Sequence, residues 1–76
     1  MAISIYTTPT CSYCTVAKKY FRENGVPFTE YNVAQDPRRA DEMVRKSGQM
    51  GVPVIDINGS IIVGFDKSKI EGALKR

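Results

Sequence analysis

Val54-Ile55-Asp56-Ile57 and Ser60-Ile61-Ile62-Val63 are two short apolar runs separated only by Asn58-Gly59. An Asn-Gly pair between such runs is the strongest short-range signal for a two-residue hairpin, because both turn positions need positive φ. Two adjacent antiparallel strands are therefore expected there. Upstream the pattern changes period twice. Ala2 to Thr7 is a β-branched, apolar run that reads as a buried strand. From Ser12 to Asn24, Tyr13, Val16, Ala17, Tyr20 and Phe21 recur at helical spacing, and Gly25 stands where a terminating glycine belongs.

Phe28 to Val33 alternates, with Phe28, Glu30 and Asn32 on one side and Thr29, Tyr31 and Val33 on the other, as in a strand. Asp36-Pro37 opens a second helix, an N-cap acceptor followed by proline at the first helical position. Ala40, Met43 and Val44 form its apolar stripe, and Gly48 ends it. Gly51-Val52-Pro53 interrupts the chain before the hairpin. After the hairpin, Gly64-Phe65 leads to Asp66, the N-cap of a last helix facing inward through Ile70, Ala73 and Leu74. The order is β-α-β-α-β-β-α. A strand–helix–strand crossover implies a parallel pair, so the expectation is an α/β fold with a four-stranded mixed sheet and three helices.

Seventy-six residues make a single domain, 1–76, near the lower size limit for an unstapled core. The two cysteines, Cys11 and Cys14, close too small a loop to act as a staple. No basic n-region precedes an apolar core, and no apolar run approaches the roughly 18 residues of a membrane span. The expected home is the cytoplasm, with no membrane partner. The net charge of +3 is spread along the chain among interleaved acids and lacks any aromatic-basic motif, so nucleic acid is not an expected partner. A mildly positive surface suits acidic proteins or peptides.

The chemistry lies in Cys11-Ser12-Tyr13-Cys14, a C-x-x-C placed where the first strand turns into the first helix. A helix N-terminus offers unpaired N–H groups and positive partial charge, which stabilise a thiolate, the reactive form of cysteine. Moving a thiol from a pKa of about 8.5 to about 6 takes roughly 3.4 kcal/mol. The helix dipole typically supplies about 0.3–1 kcal/mol. Direct bonds from the Tyr13 and Cys14 amides to the Cys11 sulfur are expected to supply most of the rest. Cys14, one turn in and nearer the core, is the expected resolving thiol, with Lys18 a further cation nearby.

Taken together, Tyr6-Thr7 to Cys11-Ser12-Tyr13-Cys14, then Gly51-Val52-Pro53, then Val63-Gly64-Phe65-Asp66 resemble the glutaredoxin family, a branch of the thioredoxin fold. The resemblance covers essentially the whole chain. It implies strand order 2-1-3-4, a cis peptide before Pro53 and thiol–disulfide oxidoreductase activity through Cys11 and Cys14. It also implies a substrate-binding surface of Ser12, Tyr13, Val52, Pro53, Gly64, Phe65 and Asp66. Val52 would offer its backbone to an extended substrate segment, and Asp66 would hold a γ-glutamyl amino group. Tyr13 is either a lip of the groove or a core residue on the helix face, and its place within the motif at a helix start favours the groove. Arg38, Arg39 and Gln49 are candidates for a substrate carboxylate.

Four positions depart from the family pattern: Ser12 replaces the motif proline, Gly51 a threonine, Thr8 a lysine and Phe65 a glycine. The Thr8 lysine typically helps hold a glutathione carboxylate. The Gly64-Phe65 pair resembles instead the redoxins that serve ribonucleotide reductase and draw electrons from thioredoxin reductase. The partners implied are disulfide-containing proteins, with thioredoxin reductase or glutathione as reductant, acting on a monomer. No tightly bound cofactor is expected, and glutathione stands as a co-substrate. No metal residues are expected, since two cysteines without histidine fall short of a structural zinc site. The alternative is a [2Fe–2S] cluster bridging two protomers, with other thiols completing it.

Overall fold

The computed structural model describes residues 3–74. Strands β1 (Ile3–Thr7), β2 (Thr29–Asn32), β3 (Val54–Ile57) and β4 (Ser60–Val63) alternate with helices α1 (Ser12–Glu23), α2 (Pro37–Ser47) and α3 (Lys67–Leu74) in the expected order. The sheet runs β2-β1-β3-β4, with β1 parallel to β2 and the β1–β3 and β3–β4 pairs antiparallel. This is a thioredoxin-like fold of the glutaredoxin type. Ala2, assigned to the first strand from sequence, lies outside the described residues.

Local chemistry sets the boundaries. Asn58 and Gly59 take φ of 52° and 94°, and the Gly59 N–H donates to Asp56 Oδ1 at 2.8 Å, so Val54 faces Val63 across a tight hairpin. Asp36 caps α2 by accepting from the Arg38 and Arg39 amides, and Gly48 closes it in the left-handed region. At the end of α1, Gly25 has φ of 65° and donates to Arg22 O, while Val26 donates back to Phe21 O. That pair of bonds satisfies carbonyls the helix would otherwise leave open.

The sheet is covered on both faces. Ile3 and Ile5 of β1, with Ile55 and Ile57 of β3, pack against Ala17 and Phe21 of α1 and Ile70 of α3. Tyr6 and Val54, one residue out of phase, pack against Met43 of α2 on the other face. One residue of slip would exchange these sets. A polar network also fastens α2 to the sheet. The buried Tyr6 hydroxyl donates to Glu42 and accepts from Lys46 Nζ at 2.9 Å, and Lys46 also donates to Asp56 at 2.7 Å.

The apolar stripe of α1 is narrower than its periodicity suggests. Cys14, Ala17 and Phe21 are buried along one line, but Tyr13 and Val16 are exposed. Those two share the adjacent line with Tyr20, and only Tyr20 is covered, by the Phe65 ring in an edge-type pair with centroids 5.7 Å apart.

Candidate active site

The Cys11–Cys14 segment is built by a turn and a helix start. The Cys11 N–H donates to Thr8 O at 3.3 Å, which closes a turn through Pro9 and Thr10 as the chain leaves β1. Cys11 then adopts an extended conformation as the N-cap of α1. Its sulfur accepts the Cys14 N–H at 3.2 Å. The expected second donor, the Tyr13 amide, is not among its bonds. An N-cap side chain commonly serves one amide of the first turn, and here it is the third. Serine at position 12 leaves that first turn a backbone donor that proline would lack.

The two thiols occupy opposite environments. Both are free, Cys11 partly exposed and Cys14 buried at 1% relative exposure on the line continued by Ala17 and Phe21. Burial chiefly, then the hydrogen bond with Cys11, pushes the Cys14 thiol up to about 12, against smaller opposing effects of the Thr8 backbone and the Lys18 charge. Lys18 itself is engaged, with Nζ 2.9 Å from Glu30 Oε2. That same oxygen accepts from the buried Thr7 hydroxyl at 2.7 Å. Lys18 first, and Thr7 next, hold the Glu30 carboxyl below its ordinary range. Glu30 reads in sequence as one member of a strand alternation, and only its position beside β1 reveals this bridge.

The other expected substrate-binding residues gather at the same end of the sheet. Tyr6 pairs with Val54, so Pro53, the residue before β3, lies beside the point where β1 turns toward Cys11. The Val52–Pro53 peptide is cis. Pro53 is buried, and its carbonyl accepts from the Gly64 N–H at 2.8 Å, which joins the Val52-Pro53 loop to the Gly64-Phe65-Asp66 turn. Gly64 needs its freedom here, with φ of 78°. Ser12 and Tyr13 are exposed on the first turn of α1, Tyr13 at 66%.

Two of the expected binding residues carry packing and capping contacts. The Phe65 ring packs on Tyr20 and the core of the α1 face. Asp66 caps α3 by accepting the Lys69 N–H at 3.2 Å. Of the carboxylate candidates, Arg39 lies 4.0 Å above the Tyr31 ring and pairs with Glu42 at 3.1 Å. The Gln49 amide bonds Gly51 and Ser47, while Arg38 is exposed. Among the described residues, no three His, Cys, Asp or Glu side chains are grouped to hold a metal ion, and no helix is long and apolar enough to cross a membrane.

A redox-capable cysteine pair at the start of α1, on this four-stranded sheet, defines a thioredoxin-fold protein. Residues 3–62 match the glutaredoxin family model, and the chain belongs to that family. It is 45% identical over 74 residues to a glutaredoxin-like 8.6 kDa protein of the rubredoxin operon of Clostridium pasteurianum, spanning 97% of this chain and 99% of that one. It is 38% identical over 64 residues to glutaredoxin 3 of Escherichia coli K12, spanning 84% and 77% of the two chains. The solved structure of NrdH-redoxin from Escherichia coli, a glutaredoxin-like protein with a thioredoxin-like activity profile, superimposes with a TM-score of 0.85 at 29% identity, covering 95% of this chain and 93% of that one.

Proposed function

We propose that this protein is a dithiol–disulfide oxidoreductase that reduces protein disulfides or glutathione mixed disulfides, with Cys11 as nucleophile and Cys14 as resolving thiol. The observation that carries this is the asymmetry of the pair: Cys11 is partly exposed and amide-bonded, while Cys14 is buried and held protonated. In the first step the Cys11 thiolate attacks one sulfur of the substrate disulfide. A Cys11–substrate disulfide forms, and the other substrate sulfur leaves and takes up a proton. Cys14 then gives up its proton and attacks the Cys11 sulfur, releasing the second substrate thiol. The substrate gains two electrons and two protons, and the Cys11–Cys14 pair becomes the disulfide. A reductant returns the pair to two thiols.

Thioredoxin reductase is at least competitive with glutathione as that reductant. The replacement of expected glutathione contacts by Thr8 and Phe65 supports this, as does the likeness to NrdH-redoxin. Ser12, Tyr13, Val52, Pro53, Gly64, Phe65 and Asp66 form the substrate face on this reading. The test supplies NADPH with either thioredoxin reductase or glutathione and glutathione reductase, and follows reduction of a small disulfide. Cys11→Ser is expected to abolish turnover, and Cys14→Ser to trap a mixed disulfide or permit only single-thiol turnover. Full activity of Cys11→Ser refutes the assignment, and robust turnover with glutathione alone refutes the donor.

A further inference from the structure

The loop that carries Val52 and Pro53 is held by one of its own side chains. Gln49 Nε2 donates to the Gly51 carbonyl at 3.1 Å, and the Gly51 N–H donates to Gln49 Oε1. A single amide thus pairs with both backbone groups of one residue, as a neighbouring strand would. The other end of the brace is anchored. Gln49 Nε2 and the Gln49 N–H both donate to Ser47 Oγ, at 3.3 and 3.4 Å. Ser47 Oγ in turn lies 2.7 Å from Met43 O, within the last turn of α2.

Gly51 is matched to this arrangement. A Cβ at position 51 would stand 2.6 Å from Gln49 Oε1, so any side chain there must evict the amide. The backbone gives no other reason for glycine, since Gly51 is not among the residues with positive φ. Gln49 and Gly51 therefore form one device. Among the described residues, no hydrogen bond occupies the Val52 N–H or C=O. The brace closes Gly51 to pairing and leaves Val52, the next residue, as the first backbone position open to an extended segment.

We infer that Gln49 is a positioning residue for disulfide substrates: its amide braces Gly51 so that the Val52 backbone is presented in a fixed, one-residue docking edge beside the Cys11–Cys14 pair. The inference rests on the proposed reductase activity. Its chemistry applies to a substrate whose cysteine lies in an extended peptide, since a segment without a backbone to pair gains nothing from the brace. It adds no reactive group, so the sulfur chemistry is untouched by its loss.

The experiment compares wild type, Gln49→Ala, Gly51→Ala and the double variant, using a disulfide-linked peptide as substrate and following Gly51 amide exchange by NMR. Gln49→Ala is expected to raise KM about three- to tenfold, the equivalent of one net hydrogen bond, with kcat within about twofold of wild type. Gly51→Ala should raise KM to a similar extent, and adding it to Gln49→Ala should raise KM no further, because both remove the same brace. Gly51 amide exchange should quicken about tenfold in Gln49→Ala, while the rate of Cys11 alkylation stays at the wild-type value. A general loss of structure would instead move kcat, Cys11 alkylation and the exchange of core amides together. An unchanged KM, additive effects of the two substitutions, or equal Gly51 exchange in wild type and Gln49→Ala each overturns the inference. Absence of turnover by the wild-type protein overturns the reductase reading and the positioning role with it, whereas equal exchange removes the brace alone and leaves the reductase reading intact.

Discussion

Differential alkylation of the two thiols tests the asymmetry on which the proposed chemistry stands. Cys14 sits at 1% relative exposure with its thiol pushed up to about 12, burial being the main cause. At pH 8 such a thiol is ionised to about one part in 10⁴, whereas a free thiol with a pKa of about 8.5 is roughly a quarter ionised. The difference is about 2,400-fold. A more basic thiolate is intrinsically the better nucleophile, and with a Brønsted slope of about 0.4–0.5 this recovers about 25- to 55-fold. Cys14 should therefore react about 40- to 100-fold more slowly than a free peptide thiol, before any steric protection by the core is counted. The assay treats the reduced protein with iodoacetamide at pH 8, samples over time and maps the modified peptides by mass spectrometry. Cys11 should be labelled first and singly. The Cys14 rate should climb nearly tenfold per pH unit from pH 8 toward 11. A Cys14 rate equal to that of the free peptide thiol at pH 8, or one flat with pH, refutes the reasoning.

Two further outcomes concern the groups that hold the sheet beneath the site. Thr7→Val removes the hydroxyl that donates to Glu30 while leaving the Lys18 bond in place, and should cost about 1 kcal/mol at pH 7 in urea denaturation. The folded Glu30 carboxyl titrates below its unfolded value of about 4.3, so its contribution is complete above that pH and is lost as pH falls through the folded value. The gap between wild type and Thr7→Val should accordingly narrow as pH falls through the folded value, and a gap that stays constant from pH 7 into acid contradicts the bridge. Tyr6→Phe removes the hydroxyl bonded to Glu42 and Lys46, yet those partners keep Arg39 and Asp56, so about 1–2 kcal/mol is expected. Burial chiefly raises the Tyr6 pKa, so its contribution is complete below about pH 10 and is lost as pH rises through the folded value. Wild type should lose an advantage above pH 10 that Tyr6→Phe never had, as read by thermal unfolding at stepped pH.

The element order was legible because each boundary carries a residue with its own backbone chemistry. Asp36-Pro37, Gly48 and Asn58-Gly59 signal a start, a stop and a hairpin, and each does that in the structure. The partly exposed Cys11 and buried Cys14 followed from the same logic. Other features had no local signal. Periodicity marks a broad apolar face on α1 but cannot say which line the sheet will cover, so Val16 looked equivalent to Ala17 and Phe21, whereas Tyr13 is exposed as its place in the motif suggests. Arg39 reads in sequence as a candidate for a substrate carboxylate, yet its guanidinium stacks on the Tyr31 ring, a contact that no local pattern signals. The Gln49–Gly51 brace has no period at all. Its one trace is a glycine where the family pattern places threonine.

The three-residue step between the cysteines explains why one helix start gives two unlike thiols. Cys11 is the N-cap, outside the helix, where the chain is still extended and the side chain can turn to accept an amide of the first turn. Cys14 is the third helical residue, and steps of three and then four lead from it through Ala17 to Phe21, both without exposure. It therefore opens the buried stripe while still donating its own N–H to the Cys11 sulfur. Placed one residue earlier, at the position of Tyr13, the second cysteine would fall on the line that faces solvent beside Val16, without desolvation. Placed one later, at Thr15, it would again be exposed. Among the first-turn positions 12 to 15 only position 14 is buried, so the residue whose backbone amide serves the outer sulfur is also the one whose thiol the core keeps protonated, the division of labour that the proposed two-step exchange uses.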